Sequence, residues 1–395
     1  MKKSLLVLLL AILITSLTLA LASCSVVPPI DDDSSLDNGE SDENEGGSEG
    51  GSDGGSDSES VHTHSPAQAV MEKVTEPTCF TKGSYDEVIY CSGCGEELER
   101  SNKESEKLSH EFDSKVCIHC DEPKFSEGLW IDPNGDGTAH LYGIGSCTDT
   151  DIVIPSRSPD GEPVTRIRAS AFKNLENVTS ITIPDTVVKI ELHAFEGCTS
   201  LKSMVIPDSV TSISGNLFYG CTSLTEVTLG CGIKEIPSCM FYGCESLTSV
   251  TIPDGVTIID GSAFYGCKSI KNISIPESVK SISYQAFTGC FALESIKLPD
   301  GLTFLGDAFT DCLSLKEIIL PDGITVIKSG TFYGCEALRS VRIPIGVTQI
   351  EEHAFKGCDM LTWIYYAGSK EQWGQIVIYH NNNSLGHATI RYGGE

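Results

Sequence analysis

CESLTSVTIPDGVTIIDGSAFYG, residues 244–266, is followed by Cys267, and there the same pattern begins again. Working outward from it, Phe172, Phe195, Phe218, Phe241, Phe264 and Phe287 recur every 23 residues, and after one deletion Phe309, Phe332 and Phe355 continue the series. Three residues after each Phe stands a cysteine, from Cys198 through Cys221, Cys244, Cys267, Cys290, Cys312 and Cys335 to Cys358; Leu175 takes the first slot. Pro184, Pro207, Pro253, Pro276, Pro299, Pro321 and Pro344 keep the same phase, with Gly230 in one copy. A fixed period in this range is the mark of a solenoid, in which each coil is one structural unit stacked on the next.

The physics of the unit is legible. Leu247-x-x-Val250-x-Ile252 reads as a short strand whose last two apolar residues point inward. Pro253 ends the strand by withholding an N–H. Val256-x-x-Ile259 is expected to turn the chain back, Phe264 to fill the interior, and Gly266-Cys267 to close the corner. Each repeat offers about seven apolar side chains to its neighbours and little to itself, so stacking is obligatory. A fully buried aliphatic contributes about 1.5–3 kcal/mol of transfer free energy before entropy is subtracted. The eight aligned cysteines are expected in the core as small hydrophobes rather than as redox groups. Cys147, Cys231 and Cys239 fall outside that file, and a Cys231–Cys239 disulfide is one expectation.

The pattern resembles the BspA-type leucine-rich repeat of bacterial surface proteins, with Ala171, Ala194, Ala263, Ala286, Ala308 and Ala354 supplying the alanine before the phenylalanine. The resemblance covers roughly residues 128–395. It implies a β-rich solenoid of parallel strands and a role in adhesion or host and matrix interaction. Departures are a six-residue insertion between Pro155 and Phe172, the shortened turn before Phe309, and Gly230-Cys231 in place of proline. Before the repeats, Asp132, Asn134 and Asp136 mimic a calcium loop, but Gly143 stands where a glutamate is needed, so a hairpin turn is expected there. After them, WIYYAGSKEQWGQIVIYHNNNSLGHATIRY (363–392) breaks the repeat and resembles the C-terminal cap of the same subclass.

The strand positions expected to line the concave side are polar and small. Candidate ligand contacts are Ser203, Glu226, Thr228, Ser249, Thr251, Asn272, Ser274, Ser295, Lys297 and Arg342, with Trp363 and Tyr365 in the cap. Trp363, Tyr365, Tyr366 and Trp373 are also candidates to stack on sugar rings. The face has no His, no paired carboxylates and no nucleophile beside a base, so no enzyme is expected. His193 and His353, in the turn before the phenylalanine, are expected in solvent. No Gly-rich phosphate loop joins a strand to a helix, which leaves nucleotide binding without support. With 55 acidic and 27 basic residues in 395, a net charge of −28 argues against a nucleic-acid partner.

Lys2 and Lys3 precede an apolar run from Leu5 to Ala22, the layout of a secretory signal. Leu21-Ala22-Ser23-Cys24 resembles the lipobox of bacterial lipoproteins, which implies a covalent diacylglycerol at Cys24 and a lipid-anchored chain facing outside the cytoplasm, touching the membrane through that anchor only. An ordinary signal peptide or a spanning anchor is the alternative. From Pro28 to Ser60 there is no Lys or Arg, and 12 carboxylates lie in DDDSSLDNGESDENEGGSEGGSDGGSDSES (31–60). Such a stretch cannot offset its chain entropy by burial and reads as a disordered tether.

A small cysteine module follows. Cys91-Ser-Gly-Cys94 and Cys117-Ile-His-Cys120 have the spacing that points two sulfurs at one tetrahedral ion, and 22 residues separate the pairs. His64, Cys79 and His110 are further ligands, so one Cys₄ ion or two ions of mixed Cys/His type fit the sequence. The stretch EPTCFTKGSYDEVIYCSGCGEELER (76–100) with SHEF (109–112) is similar to small Cys/His modules of secreted bacterial surface proteins, which implies a structural, zinc-ribbon-like Zn²⁺. Disulfides are the alternative in an oxidising exterior.

The expected organisation is therefore a signal peptide (1–23), an acidic tether (24–61), the Cys/His module (62–125), an N-terminal cap and first strand (126–171), leucine-rich repeats (172–360) and a C-terminal cap (361–395). The expected function is that of an anchored surface protein binding an extracellular protein or polysaccharide. A structural envelope role and a non-catalytic polysaccharide-binding accessory role are the alternatives.

Overall fold

Alternation of inward aliphatics with outward polar residues does place the repeat in parallel strands. The computed structural model describes residues 63–113, 116–120 and 123–393. The signal-like segment, Cys24 and the acidic stretch to residue 61 lie outside the described residues. The described chain falls into two compact units, residues 63–68 with 90–98, and residues 69–89 with 99–393. In the smaller unit Ala67 donates to the Tyr90 carbonyl at 2.8 Å, and Pro66 bridges Cys91 antiparallel.

β1 (Val70–Thr75), β2 (Gly83–Tyr90) and β3 (Glu97–Ser105) form one sheet, with β1 and β2 antiparallel; all but Tyr90, Glu97 and Leu98 of these strands belong to the larger unit. A short antiparallel pair follows, β4 (Phe112–Asp113) with β5 (Val116–Cys117). β6 (Trp130–Pro133) and β7 (Ala139–Gly143) make the expected hairpin, where Gly135 and Gly137 take the left-handed conformation at φ 82° and 81°. β8 (Asp151–Val153) pairs in parallel with Ser180–Thr182 and opens the first strand row, while β7, paired in parallel with β9 (Val164–Ile167), opens the second.

From there the molecule is a β-solenoid with two rows of parallel strands. In the first row the strands are in register coil by coil, as in Ser203↔Glu226↔Ser249 and Glu317↔Ser340↔Trp363↔Thr389. The second row is carried by the x-Ile pairs such as Glu235–Ile236, Ile258–Ile259 and Ser281–Ile282. The segment expected only to turn the chain is thus a second ladder. Between the rows the nine phenylalanines stack in file, fully buried, with neighbouring centroids 5.1–5.9 Å apart.

The cysteine file is buried as expected, and it does more than fill space. Each thiol donates to the carbonyl of the phenylalanine in the preceding coil, as in Cys244 Sγ to Phe218 O at 3.1 Å and Cys267 Sγ to Phe241 O at 3.2 Å. Cys239 is a free thiol, so the Cys231–Cys239 disulfide is not formed. The extended strand Glu235–Ile236 runs between the two, whereas a disulfide needs Cα atoms about 4.4–6.8 Å apart. His193 and His353 are half-buried rather than solvated, because each occupies the left-handed corner, φ 60°, two residues before its phenylalanine.

The deletion before Phe309 removes a residue from that corner. In full-length coils the left-handed residue donates to a carbonyl of the next coil, as Cys239 N does to Gly261 O at 3.0 Å. Gln285 lacks this partner and donates instead to Asp307 Oδ1 at 2.9 Å. Gly306 permits the tighter path, since a Cβ there would lie 2.8 Å from the Tyr284 backbone.

The tail loses the repeat but continues both rows. Val377–Ile378 pairs with Gln349–Ile350, and Thr389–Tyr392 pairs with Trp363–Tyr366. A one-turn helix, Lys370–Trp373, is held by a capping box at Ser369. Among the described residues no helix is long and apolar enough to cross a membrane.

Candidate functional site

The first strand row exposes one side chain on either side of each inward residue. Ser203, Glu226, Ser249, Thr251, Asn272, Ser274, Ser295, Lys297 and Arg342 are exposed there, and Thr228 is half-buried. Lys297 is paired with the Glu277 carboxylate, so its charge is already engaged. Most of this face is therefore small, polar and electrically quiet.

Its C-terminal end is different. Pairing in register sets Ile319, Arg342, Tyr365 and Arg391 side by side across four strands, with Glu317 and Ser340 in the neighbouring line. Together they line a groove of about 430 Å³. Tyr365 is 43% exposed and Ile319 60% exposed. Two arginines thus stand on the strands either side of the Tyr365 strand, in a chain of strongly negative charge. Arg391 was absent from the sequence-based candidates because the repeat pattern fades before it. The inward–outward alternation of Thr389-Ile390-Arg391-Tyr392 matches that of Trp363–Tyr366 and is the signal that locates it.

The other cap aromatics are not offered to a ligand. Tyr366 is buried in the core because it falls on the inward phase of its strand, and Trp373, at the end of the one-turn helix, packs edge-on against its ring. Trp363 is half-buried, and the Arg391 guanidinium lies 4.6 Å above its ring. Of the four aromatics expected to stack on sugars, Tyr365 is the one with an exposed ring.

In the smaller unit His64, Cys91 and Cys94 bring their ligand atoms within 4.8 Å of one another, with Cys94 Sγ 3.5 Å from His64 Nδ1. The other ring nitrogen of His64 faces the Glu96 carboxylate at 3.5 Å. In the larger unit Cys79, His110, Cys117 and Cys120 form a second group within the same limit. Cys91-x-x-Cys94 and Cys117-x-x-Cys120 thus each gather their own histidine, which is the two-cluster alternative rather than a single Cys₄ set. None of the five module cysteines is joined in a disulfide.

The four-residue group has the electrostatics of crowded thiols. Burial pushes the Cys79 thiol up to about 12, helped by Cys120 and Cys117. Burial acts on Cys117 too, but hydrogen bonds from the His119 backbone and the His110 ring outweigh it and bring it down to about 6.

Comparison with known proteins follows the solenoid. The BspA-type leucine-rich repeat region matches in six copies over residues 165–290 and 257–384. Among solved structures, a leucine-rich cell-surface protein of Faecalibacterium prausnitzii is similar at 28% identity, covering 64% of this chain and 97% of the other with a TM-score of 0.37. A leucine-rich repeat protein of Bacteroides ovatus is 20% identical, covering 67% and 98% with a TM-score of 0.30. The pneumococcal vaccine antigen PcpA is 19% identical, covering 58% and 66% with a TM-score of 0.39. No curated protein matches the chain significantly. The 23-residue coil, its two strand rows and the matched repeats together place this chain in the BspA-type leucine-rich repeat family.

Proposed function

We propose that this chain is a lipid-anchored protein of the bacterial cell surface that binds an extracellular protein or polysaccharide without transforming it. The observation that carries this reading is the groove of Arg342, Tyr365 and Arg391, where three outward side chains of adjacent strands converge. A guanidinium presents a planar fork to carboxylates and hydroxyls, and an aromatic ring offers apolar area at low entropic cost. Family membership and the lipobox-like Leu21–Cys24 support the surface location; the acidic run beyond it supports presentation at a distance from the membrane.

A soluble form beginning at Ser25, applied to an array of glycans and matrix proteins, tests the reading. A ligand whose binding falls at least tenfold in Arg342→Ala and Tyr365→Ala, and not in Ser249→Ala, supports it. A ligand indifferent to the groove variants removes the groove from the reading. An array with no binder favours the envelope-spacer role. Mass spectrometry of the purified N-terminal peptide tests for the diacylglycerol on Cys24.

A further inference from the structure

The sulfur and nitrogen atoms of the four-residue cluster lie within 4.8 Å of one another, and two of their separations match the edges of a coordination tetrahedron. Zinc binds thiolate sulfur at about 2.3 Å and imidazole nitrogen at about 2.0–2.1 Å, so tetrahedral edges of about 3.8 Å between sulfurs and about 3.5 Å between sulfur and nitrogen are required. Cys79 Sγ and Cys117 Sγ are 3.8 Å apart, and Cys120 Sγ and His110 Nδ1 are 3.5 Å apart. Covalently joined sulfurs would sit at about 2.05 Å. Cys79 and Cys117 are buried, and three thiolates with one imidazole leave no open position for substrate, which marks a structural site.

The same cluster is built into the first coils of the solenoid. The His110 ring stands edge-on between Phe80 and Phe125, at centroid distances of 5.5 and 5.1 Å. Phe80 lies so close to Gly161 that a Cβ there would be 2.8 Å from it, which ties the cluster to the insertion between Pro155 and Phe172. On the same insertion Lys107 pairs with Asp160 at 2.8 Å and donates to Pro159 O at 3.0 Å. One residue after Phe125, Ser126 is buried and exchanges hydrogen bonds with Val153 of β8, at 2.9 and 3.1 Å.

We propose that Cys79, His110, Cys117 and Cys120 bind one structural Zn²⁺, and that this ion fastens the Cys/His module onto the N-terminal cap of the solenoid. A stacked array leaves its first coil without a neighbour, and a capping element must cover it. The segment 106–125 has too little apolar sequence to do so alone, and a metal supplies the missing constraint. His64, Cys91 and Cys94 form a second, more exposed centre with three ligands. There the Glu96 carboxylate orients His64 through its far nitrogen, as metal-bound histidines commonly require. The second ion is accordingly the weaker one. This inference is independent of what the groove binds.

The test uses the full chain, purified reduced with zinc, alongside Cys117→Ser/Cys120→Ser and Cys91→Ser/Cys94→Ser. Metal analysis is expected to find two zinc per chain and the loss of one in each double variant. Hydrogen exchange is expected to rise across Ala139–Val164 only in Cys117→Ser/Cys120→Ser. Replacement of zinc by Co²⁺ should give the spectrum of a tetrahedral three-sulfur site, lost in that same variant. Less than one zinc per reduced chain overturns the proposal, and so does a single zinc lost equally in both variants, which would be one shared Cys₄ ion. Unchanged exchange at the cap after loss of the first zinc overturns its fastening role.

Discussion

Asn382 Oδ1 accepts the backbone N–H of Phe355 at 3.0 Å. In the preceding coils this N–H goes to the carbonyl of the residue before the next phenylalanine, as Phe332 N does to Ala354 O at 2.9 Å. A side chain therefore stands in for the backbone of a coil that is not there. The same amide group donates to Glu351 O and Tyr379 O, each at 2.9 Å, so one buried Asn closes three bonds at the end of the stack.

Asn382→Ala is expected to lower stability by about 2–4 kcal/mol, since it leaves buried backbone groups without partners. Asn382→Asp keeps the acceptor and loses both donors, and should fall between. Urea denaturation gives the energies, and hydrogen exchange at the Phe355 amide gives the location. A wild-type midpoint for Asn382→Ala would refute this account of the cap.

Asp307 repairs the coil shortened by one residue through its bond to Gln285 N. Asp307→Asn retains an oxygen acceptor and should be close to neutral. Asp307→Ala is expected to cost about 1–2 kcal/mol and to increase exchange at the Gln285 amide. Equal effects of the two substitutions would assign the role to the charge rather than to the acceptor.

The cysteine file should be chemically silent in the folded chain. Burial pushes Cys198, Cys290 and Cys358 up to about 12, and their neighbours are shifted in the same direction. A thiol-alkylating reagent at pH 8 should leave all eight unmodified until denaturant is added. Cys267→Ala is expected to cost about 1–2 kcal/mol, from a small void and a lost bond to Phe241 O. Rapid labelling of Cys244 or Cys267 in native buffer would contradict the packing.

Asp86 gives the β1–β3 sheet an acid limit. Hydrogen bonds from Asn102, Arg100 and Lys73 lower its carboxyl from 3.8 to about 2. A carboxyl depressed in the folded state contributes stability that is full above the unfolded value near 3.9 and is lost as pH falls towards 2. Asp86→Asn should therefore be less stable than wild type at pH 6, with the difference shrinking between about pH 4 and pH 2. A gap of constant size across that window would place its origin elsewhere.

The repeat was readable because its chemistry is local and periodic. Phe218, Phe241 and Phe264 announce their stacking by position alone, and Ser249 and Thr251 announce their outward phase by alternation around Val250. The second strand row was harder to see, since Glu235–Ile236 is two residues long and gains its definition from neighbouring coils. The burial of Tyr366 is not legible in the sequence, because residue type says nothing about which phase a capping strand keeps. In the module, C-x-x-C spacing announced metal-type chemistry but could not assign Cys79 and His110 to one knuckle and His64 to the other.

Period, burial phase and the identity of the core thus follow from the order of residues, because each coil repeats one short-range rule. The partners of Asn382, Asp307 and His110, and the meeting of Arg342 with Tyr365 and Arg391, were decided by tertiary structure. Those contacts join residues from different coils or from irregular segments, and only the closed stack fixes the distances between them.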